Sequence, residues 1–149
     1  METDSKDIRE RITEAFAGLG VRQTVPRQAI ARNLISLGKS GTTFSADQLL
    51  RRLRRTHPRI GRATVYRSIE KLVQMNLLDR IEFADGTHSF CLGGKKNHRH
   101  HLACTKCHRV VDLDCFLGSK EIDAIEKREN FEIDYHSITL FGLCHDCRD

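Results

Sequence analysis

Residues 61–92 read GRATVYRSIEKLVQMNLLDRIEFADGTHSFCL, and the spacing of the apolar residues changes within this stretch. Apolar residues in 65–73 recur at helical spacing, whereas those in 77–83 alternate with polar residues, as in a half-buried strand. Asp85-Gly86 offers a tight turn, and residues 88–92 alternate again. The stretch therefore predicts a helix followed by a β-hairpin, the arrangement that ends a winged helix-turn-helix.

The residues that precede this stretch predict further helices. A first helix is expected over about residues 5–20 and a second over about 26–38, because Pro suits a first helical turn and Gly suits a helix end. Ser45 and Gln48 form a capping-box pattern that starts a third helix. Residues 1–92 are thus predicted to form a winged helix-turn-helix domain, whose last helix enters the major groove of DNA.

The charge of the chain is concentrated in this predicted domain. The net charge is +5, with 16 Lys and Arg against 10 Asp and Glu in residues 1–92, and 9 against 10 in residues 93–149. Residues 51–71 contain Arg51, Arg52, Arg54, Arg55, Arg59, Arg62, Arg67 and Lys71, with Glu70 as the only acidic residue. A patch of this kind suits a polyanion such as DNA, although a solvated helix face is the alternative interpretation. The side chains expected to face outward from the last helix are Arg62, Thr64, Tyr66 and Arg67.

The N-terminal residues METDSKDIRE lack the basic and apolar regions of a secretion signal. No apolar run approaches the length of about 18 residues that a membrane span needs. Hydrophobic residues make up 39% of the 149 residues and Trp is absent, which favours modest cores. We therefore expect a soluble cytoplasmic protein with no membrane partner.

Cysteines are confined to the second half of the chain, where four of the six form Cys-x-x-Cys pairs at Cys104/Cys107 and Cys144/Cys147. In a chain without a secretion signal, pairs at this spacing indicate metal ligands rather than disulfides. Four thiolates are enough for a closed tetrahedral zinc site. A redox function would need one pair in a thioredoxin-like setting, which this pattern lacks.

The second half of the chain predicts a small α/β unit over residues 98–149. It follows a short polar linker, residues 93–97 (Gly-Gly-Lys-Lys-Asn). Its expected elements are strands at 98–103 and 109–113, a helix from about Ser119 that buries Ile122 and Ile125, and one or two strands within 131–143. Because this unit has few apolar residues, we expect a metal and a partner subunit to complete it. The overall fold class is therefore α+β, with an N-terminal winged helix-turn-helix and a small α/β dimerisation domain that contains structural zinc.

The run His98-Arg99-His100-His101 is a second candidate for metal binding. In a strand, His98 and His100 face one side while Arg99 and His101 face the other, so that one strand can serve two sites. Further candidate ligands, none of which indicates a site by itself, are Asp79, Cys91, Asp112 and His136.

Several motifs occur together in a specific order along the chain. They are Thr24-x-x-Arg27-Gln28, Ser45-Ala46-Asp47, Ala63-Thr64-Val65-Tyr66-Arg67, the His run joined to Cys104-x-x-Cys107, and Phe131 to His136 followed by Gly142-x-Cys144-x-x-Cys147. In this order the chain resembles the ferric uptake regulator (Fur) family of bacterial metalloregulators over nearly its whole length. The resemblance implies a homodimer in which two winged helices bind a pseudo-palindromic double-stranded DNA operator, with metal bound near the hinge between the domains.

The resemblance also implies roles for individual residues. The four paired cysteines match the family's structural zinc site, and Tyr66 with Arg67 match its DNA-reading segment, to which we add Arg27 of the second helix. A regulatory site, called here the hinge site, is implied for Asp79, Cys91, His101 and Asp112. A second dimer-domain site is implied for His98, His100, Glu121 and His136, although Ser119 occupies the usual place of its acidic ligand.

Two departures from the family pattern bear on the metal. Arg99 stands where many relatives have a sensor histidine, and Thr43 stands where several iron and peroxide sensors have another. Asp79 with Cys91 resembles the zinc uptake regulator (Zur) branch, and thiolate with imidazole favours Zn²⁺. We therefore expect Zn²⁺ in both the structural and the regulatory role, with iron (Fe²⁺) or peroxide sensing as the alternative.

The function predicted from these residues is metal-dependent repression of transcription, which would control genes for metal uptake. An enzyme with a small-molecule substrate is not expected, because the sequence contains neither His-Glu-x-x-His nor His-x-Glu. A zinc-ribbon adaptor that binds protein rather than DNA remains a more distant alternative.

Overall fold

The computed structural model describes residues 2–18, 24–39, 43–93 and 100–148. The chain divides after Gly93 into two compact units, which are described separately. Apart from Gly93, the predicted linker 93–97 lies outside the described residues, and so do His98 and Arg99. No described helix has the length and apolar character that crossing a membrane requires.

The first unit has the element order of a winged helix-turn-helix. Its elements are α1 (Glu2–Gly18), α2 (Val25–Lys39), α3 (Ala46–Arg54), α4 (Arg62–Gln74), β1 (Leu78–Glu82) and β2 (His88–Leu92). The strands β1 and β2 pair in antiparallel register and form the hairpin that we call the wing. The predicted helices and hairpin are confirmed, with α1 starting three residues earlier than expected.

Local chemistry sets the start of α3 and the turn of the wing. The Ser45 hydroxyl accepts a hydrogen bond from the Gln48 backbone N–H at 3.1 Å, and the Gln48 side chain accepts one from the Ser45 N–H at 2.7 Å. The predicted capping box is therefore present, and it satisfies N–H groups that a helix start leaves open. In the turn, Gly86 adopts a φ of +81°, a conformation that glycine accepts without steric cost.

The core of the first unit lies between the helices and the wing. It contains the fully buried side chains of Ile12, Ile30, Leu34, Leu49, Leu53, Val65, Ile69, Leu72 and Leu78. Phe44 and Phe90 exchange backbone hydrogen bonds of 2.9 and 2.8 Å, which attach the segment before α3 to β2. Because α4 buries the side that carries Val65 and Ile69, its opposite side, with Arg67, is exposed.

The second unit is built around one central strand. Its elements are β3 (His100–Cys104), β4 (Val110–Leu113), α5 (Ser119–Glu129), β5 (Thr139–Gly142) and a short 3₁₀ turn (His145–Cys147). The strand β3 pairs antiparallel with β4 on one side and parallel with β5 on the other. The chain between β4 and β5 therefore crosses from one edge of the sheet to the other, and α5 lies in this crossover.

One expectation for the second unit needs correction. The prediction that α5 buries Ile122 and Ile125 is wrong for the single chain, in which both are half-buried. The expectation of one or two strands within residues 131–143 is met by β5, whereas the segment 131–138 is not a strand although its residues alternate. Phe131 and Tyr135 are 73% and 85% exposed, so their side chains are not packed in the described unit.

Candidate metal centres and nucleic-acid interface

The four paired cysteines come together at one end of the sheet of the second unit. Cys104 ends β3, Cys107 lies in the turn that follows, Cys144 directly precedes the 3₁₀ turn and Cys147 is its last residue. Backbone pairing brings the two segments together, since Cys104 is in register with Gly142. The sulfur atoms of the four cysteines all lie within 4.8 Å of one another.

This cluster has the spacing of a tetrahedral zinc site. Zn–S bonds of about 2.3 Å place tetrahedral sulfur atoms about 3.8 Å apart, whereas a disulfide requires about 2.05 Å. The Cys107 and Cys144 sulfur atoms are 3.7 Å apart, and the described cysteines form no disulfide. The four thiolates therefore fit a structural zinc ion, which they would hold without an open coordination position.

The pKa values of the thiols in the cluster also favour a bound cation. Backbone N–H groups of Cys107 and Cys144 lower the pKa of the Cys104 thiol to about 6, because they stabilise its thiolate. The pKa of Cys147 is raised to about 12, first by its hydrogen bond with the Cys144 thiol. One thiolate thus opposes the ionisation of its neighbours, and a bound cation is what allows all four to ionise.

A thiol and a carboxylate face each other across the wing. Asp79 on β1 and Cys91 on β2 are direct partners in the antiparallel register. Directly opposed residues point to the same face of a hairpin, with Cβ atoms about 4.5–5.5 Å apart. Cys91 is buried and Asp79 is half-buried, so this pair of predicted hinge-site residues is partly shielded from water.

The other two predicted hinge-site residues pair in the second unit. His101 on β3 and Asp112 on β4 are partners in register, and His101 Nδ1 lies 3.3 Å from Asp112 Oδ1. His101 is 4% exposed. The pair therefore places an imidazole beside a carboxylate, and both are ligands that Zn²⁺ accepts.

A third group of ligand-type side chains lies within the second unit and contains a residue that the sequence prediction left out. His100, Cys115 and His136 offer ligand atoms within 4.8 Å of one another. Cys115 belongs to neither Cys-x-x-Cys pair, so that no spacing rule selects it. Glu121, the predicted acidic ligand, is not in this group, and its carboxylate lies beside Gly118 at the start of α5, 2.6 Å from where a Cβ would stand.

The start of α4 forms a connected polar cluster with α3. Arg62 donates to the Tyr66 hydroxyl at 3.0 Å, and this hydroxyl donates to Asp47 Oδ1 at 3.2 Å. Arg62 also lies 3.2 Å from Asp47, with its guanidinium 5.1 Å from the centre of the Tyr66 ring. Tyr66 is therefore half-buried and held in place, whereas Arg62 retains 63% side-chain exposure.

The other predicted DNA contacts differ in exposure. Thr64 and Arg27 are half-buried, whereas Arg67 is exposed. Arg27 lies in the first turn of α2, where its backbone N–H donates to Thr24 O at 3.0 Å. An exposed cation and a fixed aromatic hydroxyl on one helix provide groups that can meet phosphates and base edges.

A winged helix-turn-helix joined to a unit with a four-cysteine cluster defines a class, the metal-binding transcriptional regulators. Residues 18–141 match the ferric uptake regulator family. The chain is 31% identical to the ferric uptake regulation protein of Bacillus subtilis over 140 residues, which are 93% of each protein. The chain belongs to the ferric uptake regulator family, whose members are regulators of transcription and not enzymes.

Two further comparisons agree with this membership. The chain is 29% identical to the peroxide-responsive repressor PerR of Staphylococcus aureus over 154 aligned positions, which cover 100% of this chain and 99% of that protein. The structure of the ferric uptake regulator Fur of Helicobacter pylori has the same fold, with a TM-score of 0.77 over 97% of this chain and 94% of that one, at 19% identity. The predicted α+β fold class, with its N-terminal winged helix-turn-helix and small second unit, is therefore confirmed.

Proposed function

We propose that the protein is a zinc-sensing transcriptional repressor that binds a pseudo-palindromic DNA operator as a homodimer and controls metal-uptake genes. The observation that carries the zinc assignment is the pairing of Cys91 with Asp79 across the wing. We propose that the protein acts in the cytoplasm, because the reducing conditions there keep cysteines as the free thiols that metal binding requires.

The proposed hinge site has a ligand set suited to zinc. Cys91 contributes a thiolate, His101 an imidazole, and Asp79 and Asp112 carboxylates. Sulfur and nitrogen donors favour Zn²⁺, whereas Mn²⁺ and Fe²⁺ sites are richer in oxygen. A buried thiol also has less access to water than a surface thiol, which suits a ligand better than a reactive group.

The proposed mechanism is a linkage between metal and DNA binding. The proposed ligands belong to two units, so a conformation that brings them together holds zinc more tightly than one that does not. By linkage, that conformation is more populated when free zinc is plentiful. We propose that it is also the conformation that binds the operator, so that scarce zinc releases the DNA.

Homodimer formation is supported by an apolar row on the sheet of the second unit. Val111, Leu102 and Leu140 are in register across β4, β3 and β5, and their exposures are 43%, 42% and 45%. The half-buried Ile122 and Ile125 of α5 add apolar surface to the same unit. A second copy of the chain that covers these side chains would supply the burial that the single chain lacks.

The proposed function is tested by fluorescence anisotropy of the purified protein on a palindromic operator of the family type. One titration uses buffered free Zn²⁺ and a parallel one uses Fe²⁺ under nitrogen. We expect zinc alone to switch binding on at scarce free concentrations. Equal or better switching by iron would transfer the assignment to iron sensing, and binding that ignores both metals would reject metal sensing.

The second candidate is an iron- or peroxide-sensing regulator, which the identities to the B. subtilis and S. aureus proteins favour. Peroxide sensing through bound iron predicts oxidation of a ligand histidine. Mass spectrometry of the iron-loaded protein after peroxide exposure would detect this oxidation. Indifference to DNA in a gel shift at low salt would instead favour a protein-binding adaptor.

Arg67→Ala is expected to weaken operator binding about 10- to 100-fold, because it removes an exposed cation from the proposed recognition helix. Its zinc content should match that of the unchanged protein. Arg128→Ala on α5 removes an exposed cation from the second unit and serves as the control. Unchanged operator affinity in Arg67→Ala would remove this residue from the interface.

A further inference from the structure

The group formed by His100, Cys115 and His136 draws on separate parts of the second unit. His100 starts β3, Cys115 lies between β4 and α5, and His136 lies ahead of β5. We propose that Cys115 is a metal ligand that the implied second dimer-domain site uses in place of Glu121, so that with His100 and His136 it forms a His₂Cys site. This site is distinct from the four-cysteine cluster and from the hinge site. The proposal rests on the second unit being a metal-binding unit and is independent of DNA binding by the first.

The geometry of the group fits a tetrahedral ion. Bonds of about 2.3 Å to sulfur and about 2.0 Å to nitrogen place the two donor atoms about 3.5 Å apart. Cys115 Sγ and His136 Nε2 are 3.3 Å apart, and the rings of His100 and His136 have centroids 5.1 Å apart. His100 is completely buried, and Phe116 packs against its ring with a centroid distance of 5.3 Å. Cys115 and His136 therefore already hold donor atoms at the separation that an ion requires, and a donor atom of His100 lies within 4.8 Å of both.

One hydrogen bond identifies what must change when a metal binds. The backbone N–H of Ile138 donates to His100 Nδ1 at 3.2 Å. A neutral imidazole that binds a metal uses the lone pair of one nitrogen and carries a proton on the other. Whichever nitrogen binds, Nδ1 then has no free lone pair, so this hydrogen bond must open. The Ile138 amide, next to the start of β5, is thus a reporter of the site.

The donor set predicts which metals the site takes. Two imidazoles and a thiolate favour Zn²⁺ and its spectroscopic substitute Co²⁺ over the oxygen-seeking Mn²⁺ and Fe²⁺. Three protein ligands leave one tetrahedral position for water or a further donor. A carboxylate in place of Cys115 would make the donor set chemically harder and shift its preference toward oxygen-seeking metal ions. Cys115 is therefore the residue that determines the metal preference of this site.

The site is tested in the full-length protein that carries Cys91→Ser and one equivalent of zinc, held by the four-cysteine cluster, so that the wing thiol no longer contributes and the His₂Cys site is open to Co²⁺. On titration with Co²⁺ we expect the visible absorption of a tetrahedral ion together with a sulfur-to-cobalt charge-transfer band. The further change Cys115→Ser should abolish the charge-transfer band, and His136→Gln should weaken Co²⁺ binding about tenfold or more. Asp114→Asn, beside Cys115, is the matched control and should leave the spectrum unchanged. Zinc retained in the four-cysteine cluster shows that each variant is folded.

A second readout uses the unmodified chain and diamagnetic Zn²⁺. Filling the site should shift the ¹⁵N–¹H resonance of Ile138. A charge-transfer band that survives removal of both Cys91 and Cys115 would overturn the proposal, as would an Ile138 amide that does not respond to zinc beyond the structural equivalent. Failure of the protein to bind an operator would count against the proposed function alone, since these measurements contain no DNA.

Discussion

Cys104→Ser is expected to unfold the second unit while the first unit keeps its structure. Among residues 100–148 the buried side chains are those of His100, His101, Ala103 and Cys104, which do not make an apolar core. Structural zinc in small domains contributes about 10–16 kcal/mol, so its loss removes most of what holds this unit together. Metal analysis should show loss of the structural zinc, and ¹⁵N–¹H spectra should show collapsed dispersion for residues after 100 and unchanged peaks for α2 to β2.

Cys115→Ser is the matched control for this prediction. It removes the thiol of the proposed His₂Cys site but leaves the four-cysteine cluster intact, so the one structural equivalent of zinc and the dispersed spectrum should remain. A Cys104→Ser protein with a well-dispersed, zinc-free second unit would contradict the structural role of the cluster.

Cys91→Ser is expected to raise the free zinc concentration needed for operator binding by about a hundredfold or more. Even the loss of a group that only orients a ligand costs 10- to 100-fold in metal affinity, and Cys91 is proposed as a ligand itself. Serine has nearly the same volume as cysteine, so the buried position on β2 should remain packed. The measurement is anisotropy of a labelled operator across a series of zinc buffers.

The strand β1 provides the control for the same experiment. Asp79→Asn should raise the zinc requirement as Cys91→Ser does, because Asp79 is the cross-strand partner of Cys91. Glu82→Gln, an exposed carboxylate three residues further along the strand, should leave it unchanged. An unaltered zinc threshold in Cys91→Ser would show that the wing thiol does not bind the sensed metal.

The first unit was predictable from sequence because its signals are local. The capping residues Ser45 and Gln48, the turn at Gly86 and the helical spacing from Val65 to Leu72 each act within a few residues. The two Cys-x-x-Cys pairs were predictable for the same reason, since each pair supplies two ligands from one turn. What joins the pairs is the register between β3 and β5, a long-range contact that spacing alone does not show.

The second unit was harder to predict because several of its apolar residues remain exposed or half-buried in the single chain. Alternation across residues 131–143 suggested one or two strands, yet within this range the chain forms a strand at 139–142 alone. Ile122 and Ile125 have the spacing of a buried helix face but are only half-buried. Cys115 escaped prediction because it joins two histidines that are distant from it along the sequence, and only the fold brings them together.

The central strand β3 carries one residue from each of three groups. His100 belongs to the proposed His₂Cys site, His101 to the proposed hinge site, and Cys104 to the four-cysteine cluster. A one-residue slip of a strand moves every side chain to the opposite face, so the order of these residues has meaning only in one register. A zinc ion in the four-cysteine cluster would hold the end of β3 and thereby favour that register. Removal of the structural zinc would consequently affect the other metal sites as well. If β3 could shift, His100 and His101 would no longer be held in position for metal binding. The protein would then lose its ability to distinguish one metal concentration from another.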